Sequence, residues 1–211
     1  MFFEDRIMNL IASRKSELAR KRNFPSITVL IAFYILVFSS CDEKKNEETQ
    51  PKAFFDLKGF IEGQVTMLNQ SRPVVSKTMK MGDDSSHISS GDIDWKKELE
   101  LFVQADINKP AYRLSYTSQI TDSTLLIYTL KPEQDLPVRL LKIRLDKPDG
   151  KPVLIEALLK SENKLYMSEK NIRMVLEDKG GYSKVLSYQI NGFQKLVTMN
   201  KKPFEVTVSV K

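Results

Sequence analysis

From residue 53 onward the apolar positions recur with two different periods, and the change of period divides the chain. Phe54, Leu57, Ile61, Val65 and Leu68 follow one another at three- and four-residue steps. That spacing predicts an amphipathic helix over residues 53 to 70, with one face needing a partner. Arg72-Pro73 ends it. Val74 to Met81 mixes β-branched and long side chains up to a turn at Gly82-Asp83-Asp84-Ser85, and a short return through His87 and Ile88 makes a small hairpin. Asp92 is the expected N-cap of a second helix, with Asp94 in its positive first turn. Trp95, Leu99, Phe102, Val103 and Asp106 share its face, and Asn108-Lys109-Pro110 stops it.

After Pro110 the period falls to 2. Tyr112, Leu114 and Tyr116 alternate with polar residues, as do Phe204, Val206, Val208 and Val210, so each set predicts a half-buried strand. Between them lie apolar runs at 124 to 130, 136 to 145, 153 to 159, 165 to 176, 185 to 190 and 193 to 199. Turn signals separate the runs: Thr121-Asp122, Pro132-Glu133, Pro148-Asp149-Gly150, Ser161-Glu162-Asn163, Gly180-Gly181, Asn191-Gly192 and Asn200-Lys201-Lys202. Spacers this short favour hairpins and leave no room for crossover helices. The expected fold is α+β: two amphipathic helices on a large antiparallel meander sheet, with curling into a half-barrel as its further option.

The chain before residue 53 has a different pattern. Arg20-Lys21-Arg22 precedes an uncharged run from Ile27 to Phe38, which leads into Ser39-Ser40-Cys41. A positive region, a short apolar region and small residues form the order of a secretory signal. The run is 12 residues long, against the ~20 needed to cross a bilayer as a helix, so a permanent transmembrane anchor is the weaker reading. Val37-Phe38-Ser39-Ser40-Cys41 resembles the lipobox of bacterial lipoprotein precursors, in which cleavage precedes the Cys and its thiol is acylated. Phe38 stands where that family usually has Leu, and the long basic region leaves Met1 and Met8 both open as the start. The resemblance implies a signal peptide over 1–40, lipidation (palmitate) at Cys41 and a membrane-anchored protein of the cell envelope, on the periplasmic face or the surface of the outer membrane. Residues 42 to 52, DEKKNEETQPK, hold no large apolar side chain and read as a tether of at most ~36 Å. Residues 53–211 are then a single domain. The acidic pairs Asp42-Glu43 and Glu47-Glu48 are solubilising charges, with a loose likeness to the surface-export tract of Bacteroidota lipoproteins.

Composition narrows the chemistry. The 211 residues carry a formal net charge of +6, but residues 1 to 40 hold six of the 33 basic and three of the 27 acidic groups. The remainder, 27 against 24, is only +3 and has no basic cluster interleaved with aromatics, so no nucleic-acid partner is expected. One Cys and one His exclude a disulfide framework, a Cys-rich zinc site and a His-ligated metal centre. No cofactor is implied.

The segments DLKGFIEGQ, DWKKELELF, ADINKPAY, NKLYMSEKNI and GGYSKVLSYQINGFQKL together resemble a group of uncharacterised Bacteroidota envelope lipoproteins, over most of residues 54 to 211. The resemblance implies a shared fold unit and assigns no catalytic residue.

Four constellations have a functional reading beside a plainer one. His87 sits beside Ser85 and Ser86, but adjacency in sequence does not give the geometry of a nucleophilic triad, and an exposed loop His is the better account. Ser161-Glu162-Asn163-Lys164 matches the S-x-x-K of serine acylases without the companion motifs, so a hairpin turn is favoured. The pairs Asp83/Asp84 and Asp92/Asp94 lack the layout of a calcium loop and suit turns and caps. Asp122-Ser123-Thr124 resembles the pattern at which Bacteroidota add O-linked sugars, with Ser123 the candidate site; a self-satisfied hairpin turn is the alternative reading. No nucleophile-base pair emerges, so the chain reads as non-enzymatic. Two functions remain. One is a structural or partner-binding module of the envelope, for a protein, glycan or lipid partner. The other is a carrier of an apolar ligand, similar to half-barrel lipoprotein carriers, with eight Met and eleven Phe to supply an adaptable lining.

Overall fold

In the computed structural model, which describes residues 52–211, helix α1 (Leu57–Ser71) begins four residues later than the periodicity alone suggests. The reason is a cap. The Asp56 carboxylate accepts the Gly59 amide at 2.9 Å, satisfying a helix-start N–H that has no intrahelical partner. Arg72 closes the helix in the left-handed region, at φ 43°, and its N–H returns to the Leu68 carbonyl. Strands β1 (Val75–Met81) and β2 (Asp84–Ser90) form the expected hairpin, tightened to a turn at Gly82-Asp83.

The second helix departs from its reading in two ways. Asp94, not Asp92, is its cap, accepting the Lys97 amide at 3.2 Å, while the Asp92 amide donates to Ser90 Oγ. The helix also breaks at Leu99 into α2 (Trp95–Glu98) and α3 (Glu100–Gln104). Trp95, Leu99 and Phe102 nevertheless reach the same buried layer. Residues 112 to 115 are not a strand, because Pro110 fixes a 3₁₀ turn (Pro110–Tyr112) and leaves Leu114 81% exposed.

Seven strands then follow in sequence: β3 (Tyr116–Thr121), β4 (Leu125–Leu130), β5 (Val138–Leu145), β6 (Pro152–Glu162), β7 (Tyr166–Asp178), β8 (Ser183–Leu196) and β9 (Lys202–Val210). Each pairs antiparallel with the next, and the β1–β2 hairpin adds to the free side of β9. The result is one nine-stranded sheet, ordered β2-β1-β9-β8-β7-β6-β5-β4-β3, and it is not closed into a barrel. Asn191-Gly192 does not turn the chain. It lies inside β8, paired with Asn171 and Lys170 of β7, so two expected strands are one.

A single row of paired residues crosses the whole sheet: Ile88, Lys77, Val208, Tyr188, Met174, Ile155, Ile143, Leu126 and Ile120. Its centre is fully buried, with Val208, Met174, Ile155 and Ile143 at 0% exposure, while Ile88 and Ile120 at the edges are 43% and 65% exposed. Helices cover the middle of one face and stop short of its margins. Leu57, Ile61, Leu99 and Phe102 complete the core from the helical side, also at 0%. Residues 51–211 are one compact unit with its own core.

Candidate functional site

Two of the core helices are fixed by polar contacts, and these consume the ionisable groups nearest the interior. Glu98 of α2 reaches over β1 and β8: Lys77 Nζ donates to both of its carboxylate oxygens, at 2.7 and 2.9 Å, and the Tyr188 hydroxyl donates to Oε1 at 2.6 Å. Burial, reinforced by the hydrogen bond to the Glu98 carboxylate, pushes the Tyr188 phenol far above its ordinary value, because the anion would be desolvated beside another anion. At the other end, Asp106 accepts the amides of Lys58 and Asn108. Asn108 in turn accepts the Phe54 amide at 3.1 Å and donates to the Phe55 carbonyl at 2.8 Å. This ties the start of the domain to the end of α3. The Glu98 cluster holds α2 to the sheet, and the Asp106–Asn108 cluster holds the start of α1 to the segment after α3.

The concave feature with apolar walls lies elsewhere, where the C-terminal end of α1 passes over the start of β8 and the end of β9. It is an open groove of about 560 Å³. Met67, Leu68, Pro73, Val185, Val210 and Tyr182 supply its apolar surface, and Lys179, Lys184 and Lys211 are its charged lining residues. Gln64 forms part of its floor. The side chain is only 3% exposed and its amide nitrogen donates to the Ser183 carbonyl at 3.0 Å, while the Ser183 hydroxyl donates to the Pro152 carbonyl at 3.1 Å. The groove thus combines an apolar wall, a cationic rim and a Ser hydroxyl engaged with backbone.

The face of the sheet opposite the helices carries a shallower depression of about 400 Å³. Charged residues cross it, including the pair Arg173–Glu156 at 2.8 Å.

The residues singled out from the sequence are scattered. Cys41 lies outside the described residues. Ser123 is exposed at the β3–β4 turn, where it and Asp122 both have positive φ (55° and 53°) and the Thr124 amide returns to the Thr121 carbonyl. His87 is exposed on the outermost strand, 3.1 Å from Thr78 Oγ1. Ser161 sits in β6 opposite Ser168, and Lys164 in the turn beyond it, so the acylase layout with Ser at a helix start is not formed. Among the described residues no group of three His, Cys, Asp or Glu converges on a metal position, and no helix is long and apolar enough to cross a membrane. Sequence reasoning missed Gln64. Val65 packs half-buried against the core as expected, while the fully buried positions follow the 4-3-4 spacing Leu57, Ile61, Gln64, Leu68.

No protein-family model, no curated protein and no solved structure matches the chain.

Proposed function

We propose that the chain is a non-enzymatic envelope lipoprotein, held at a membrane through acylated Cys41, whose folded head binds a partner at its surface. The observation that carries the head's part of this reading is the filled layer between helices and sheet. Trp95, Leu99, Phe102, Met174 and Tyr188 meet there at 2% exposure or less, and the groove of acyl size beside α1 is open to solvent. The lipobox-like Val37 to Cys41 and the polar stretch behind it support the anchor. Phase separation in a cloud-point detergent tests the reading. The full-length chain, expressed in a Gram-negative host, should enter the detergent phase, whereas a chain starting at Asp42 should stay aqueous. Full-length protein in the aqueous phase would remove the anchor.

The groove beside α1 favours a second reading, a binder of an apolar ligand. Its volume exceeds the ~300 Å³ at which small-molecule sites begin, and its lysines would face an anionic head. On this reading a fluorescent fatty acid binds the parent stoichiometrically and Leu68→Asp abolishes uptake; no uptake by the parent removes the reading. A half-barrel carrier with the chain threaded under the helices has no support in the packed core.

A further inference from the structure

At one end of the sheet the β6–β7 turn (residues 163 to 165) and the β8–β9 turn (residues 197 to 201) lie side by side, joined where the Val197 amide donates to the Leu165 carbonyl at 3.0 Å. Together they expose four large apolar side chains: Leu165 at 72%, Val197 at 63%, Leu196 at 47% and Met199 at 44%. Scattered exposed apolar residues are ordinary, but adjacent ones on a shared tip are not. The turns are ordered by their own contacts. Asn163 Oδ1 accepts the amides of Leu165 and Tyr166, each at 2.9 Å, so the polar residue is spent on holding Leu165 outward. The Met199 amide returns to the Leu196 carbonyl at 3.0 Å.

Lysines surround this apolar tip. Lys164, Lys195, Lys201 and Lys202 are all exposed within or beside the two turns, against Glu162 alone, and Lys201 lies over the Phe193 ring at 4.2 Å. The neighbouring β1–β2 turn, whose Gly82 amide donates to the Pro203 carbonyl, brings Asp83 and Asp84. Positive charge is therefore concentrated on the apolar tip and declines toward β1.

We propose that this tip docks on an anionic lipid bilayer, with Leu165, Leu196, Val197 and Met199 entering the interface and the four lysines meeting lipid headgroups. A side chain that is apolar at its end and flanked by long cations is matched to the boundary between acyl chains and anionic headgroups. A second copy of the chain is a poorer occupant, because it would set the four lysines against their own counterparts. The chain also joins the domain near the same end of the sheet. Phe54 packs on Tyr116 at 6.0 Å, and the Tyr116 hydroxyl donates to the carbonyl of Val138, the first residue of β5. From β3 the tip lies about four strand spacings across the sheet, roughly 19 Å, and up to about 20 Å further along the strands than Val138 and its partner Leu159, about 28 Å in all and within reach of a ~36 Å tether. That last argument rests on the lipoprotein reading; the apolar tip and its charge do not.

The test uses the chain starting at Asp42, which keeps the whole compact unit and lacks the anchor, in flotation with vesicles of phosphatidylcholine alone or with roughly 30% phosphatidylglycerol. The parent is expected to float with the anionic vesicles, at least tenfold more than with the neutral ones, and to be released by 0.5 M salt, on the order of a fivefold screening-length reduction from dilute buffer. Leu165→Asp/Val197→Asp should lose binding at least tenfold, and replacing the four lysines by Gln should erase the preference for anionic lipid. Asp83→Asn/Asp84→Asn should strengthen binding. All variants lie at exposed positions, and circular-dichroism melts matching the parent's confirm that they fold. Absence of flotation by the parent, equal binding by Leu165→Asp/Val197→Asp, or a concentration-dependent dimer that these substitutions abolish without any lipid binding would each overturn the proposal. Acylation of Cys41 is not involved in any of these measurements, so the proposal and the anchor fail separately.

Discussion

Gly192 of β8 lies against the backbone of Glu169 in β7, so closely that a Cβ on Gly192 would come within 1.9 Å of the Glu169 carbonyl oxygen. The two strands approach there because no side chain keeps them apart. Gly192→Ala must push the longest strand pair of the sheet open, and is expected to cost about 3 kcal/mol, the upper range for forcing extra volume into a packed site. The comparison is Gly63→Ala, on α1 with open space around it, which should stabilise by about 0.5 to 1 kcal/mol through helix propensity. Chemical denaturation of the two variants measures both, and a neutral Gly192→Ala would show that β7 and β8 are not apposed as described.

The start of α2 separates two aspartates, Asp92, which the sequence reading takes as the cap, and Asp94, which holds that place. Asp94→Ala removes the carboxylate that accepts the Lys97 amide and should lower stability by about 1 kcal/mol. Asp92→Ala should change it by less than about 0.5 kcal/mol, as an ordinary surface substitution does. Equal losses in denaturant titrations would return the cap to Asp92.

Trp95 and Phe102 test how tightly the helices pack. Both are buried, and the Phe102 ring stands edge-on to Tyr188 with centroids 6.0 Å apart. Truncating either to Ala should cost roughly 3 to 5 kcal/mol, a large part of a typical 5 to 15 kcal/mol total. Thermal melts that leave the parent transition unchanged would mean that this face is not core.

Alkaline titration reads the Tyr188–Glu98 contact. In the unfolded chain the Tyr188 phenol ionises near its ordinary 10.0, whereas in the folded protein burial and the Glu98 carboxylate hold the proton. The folded state then binds more protons above that pH, so this stabilisation is complete below pH 10 and is lost as pH rises beyond it. Tyr188→Phe should cost about 1 kcal/mol at neutral pH and flatten the fall in stability between pH 10 and 11.5, by up to ~1.4 kcal/mol per pH unit. Parent and variant falling in parallel would contradict the assigned proton.

Much of this architecture is legible as period. The switch from three- and four-residue spacing to alternation after Pro110 places the helices before the sheet, and Gly82, Asp149 and Gly180-Gly181 turn the chain where their left-handed conformations are needed. What escapes the sequence is decided by contacts between distant segments. Asn-Gly is the usual hairpin signal, yet Asn191-Gly192 stays extended because β7 and β9 pair with it on both sides. Val65 fits the helical face as well as Gln64 does, and only the Ser183 carbonyl, 119 residues away, selects Gln64. That Lys77 of β1 faces inward depends in the same way on Glu98 waiting above it. The groove and the apolar tip are equally hidden, since each is assembled from segments that are far apart in the chain.

The anchor is tested most directly by metabolic labelling with palmitate of the full-length chain and its Cys41→Ser variant, expressed in parallel in a Gram-negative host. The parent is expected to incorporate label and to migrate as a shortened, processed form, while Cys41→Ser remains an unlabelled, uncleaved precursor. Equal processing and labelling of Cys41→Ser, or an unlabelled parent, would contradict a lipoprotein anchored at Cys41.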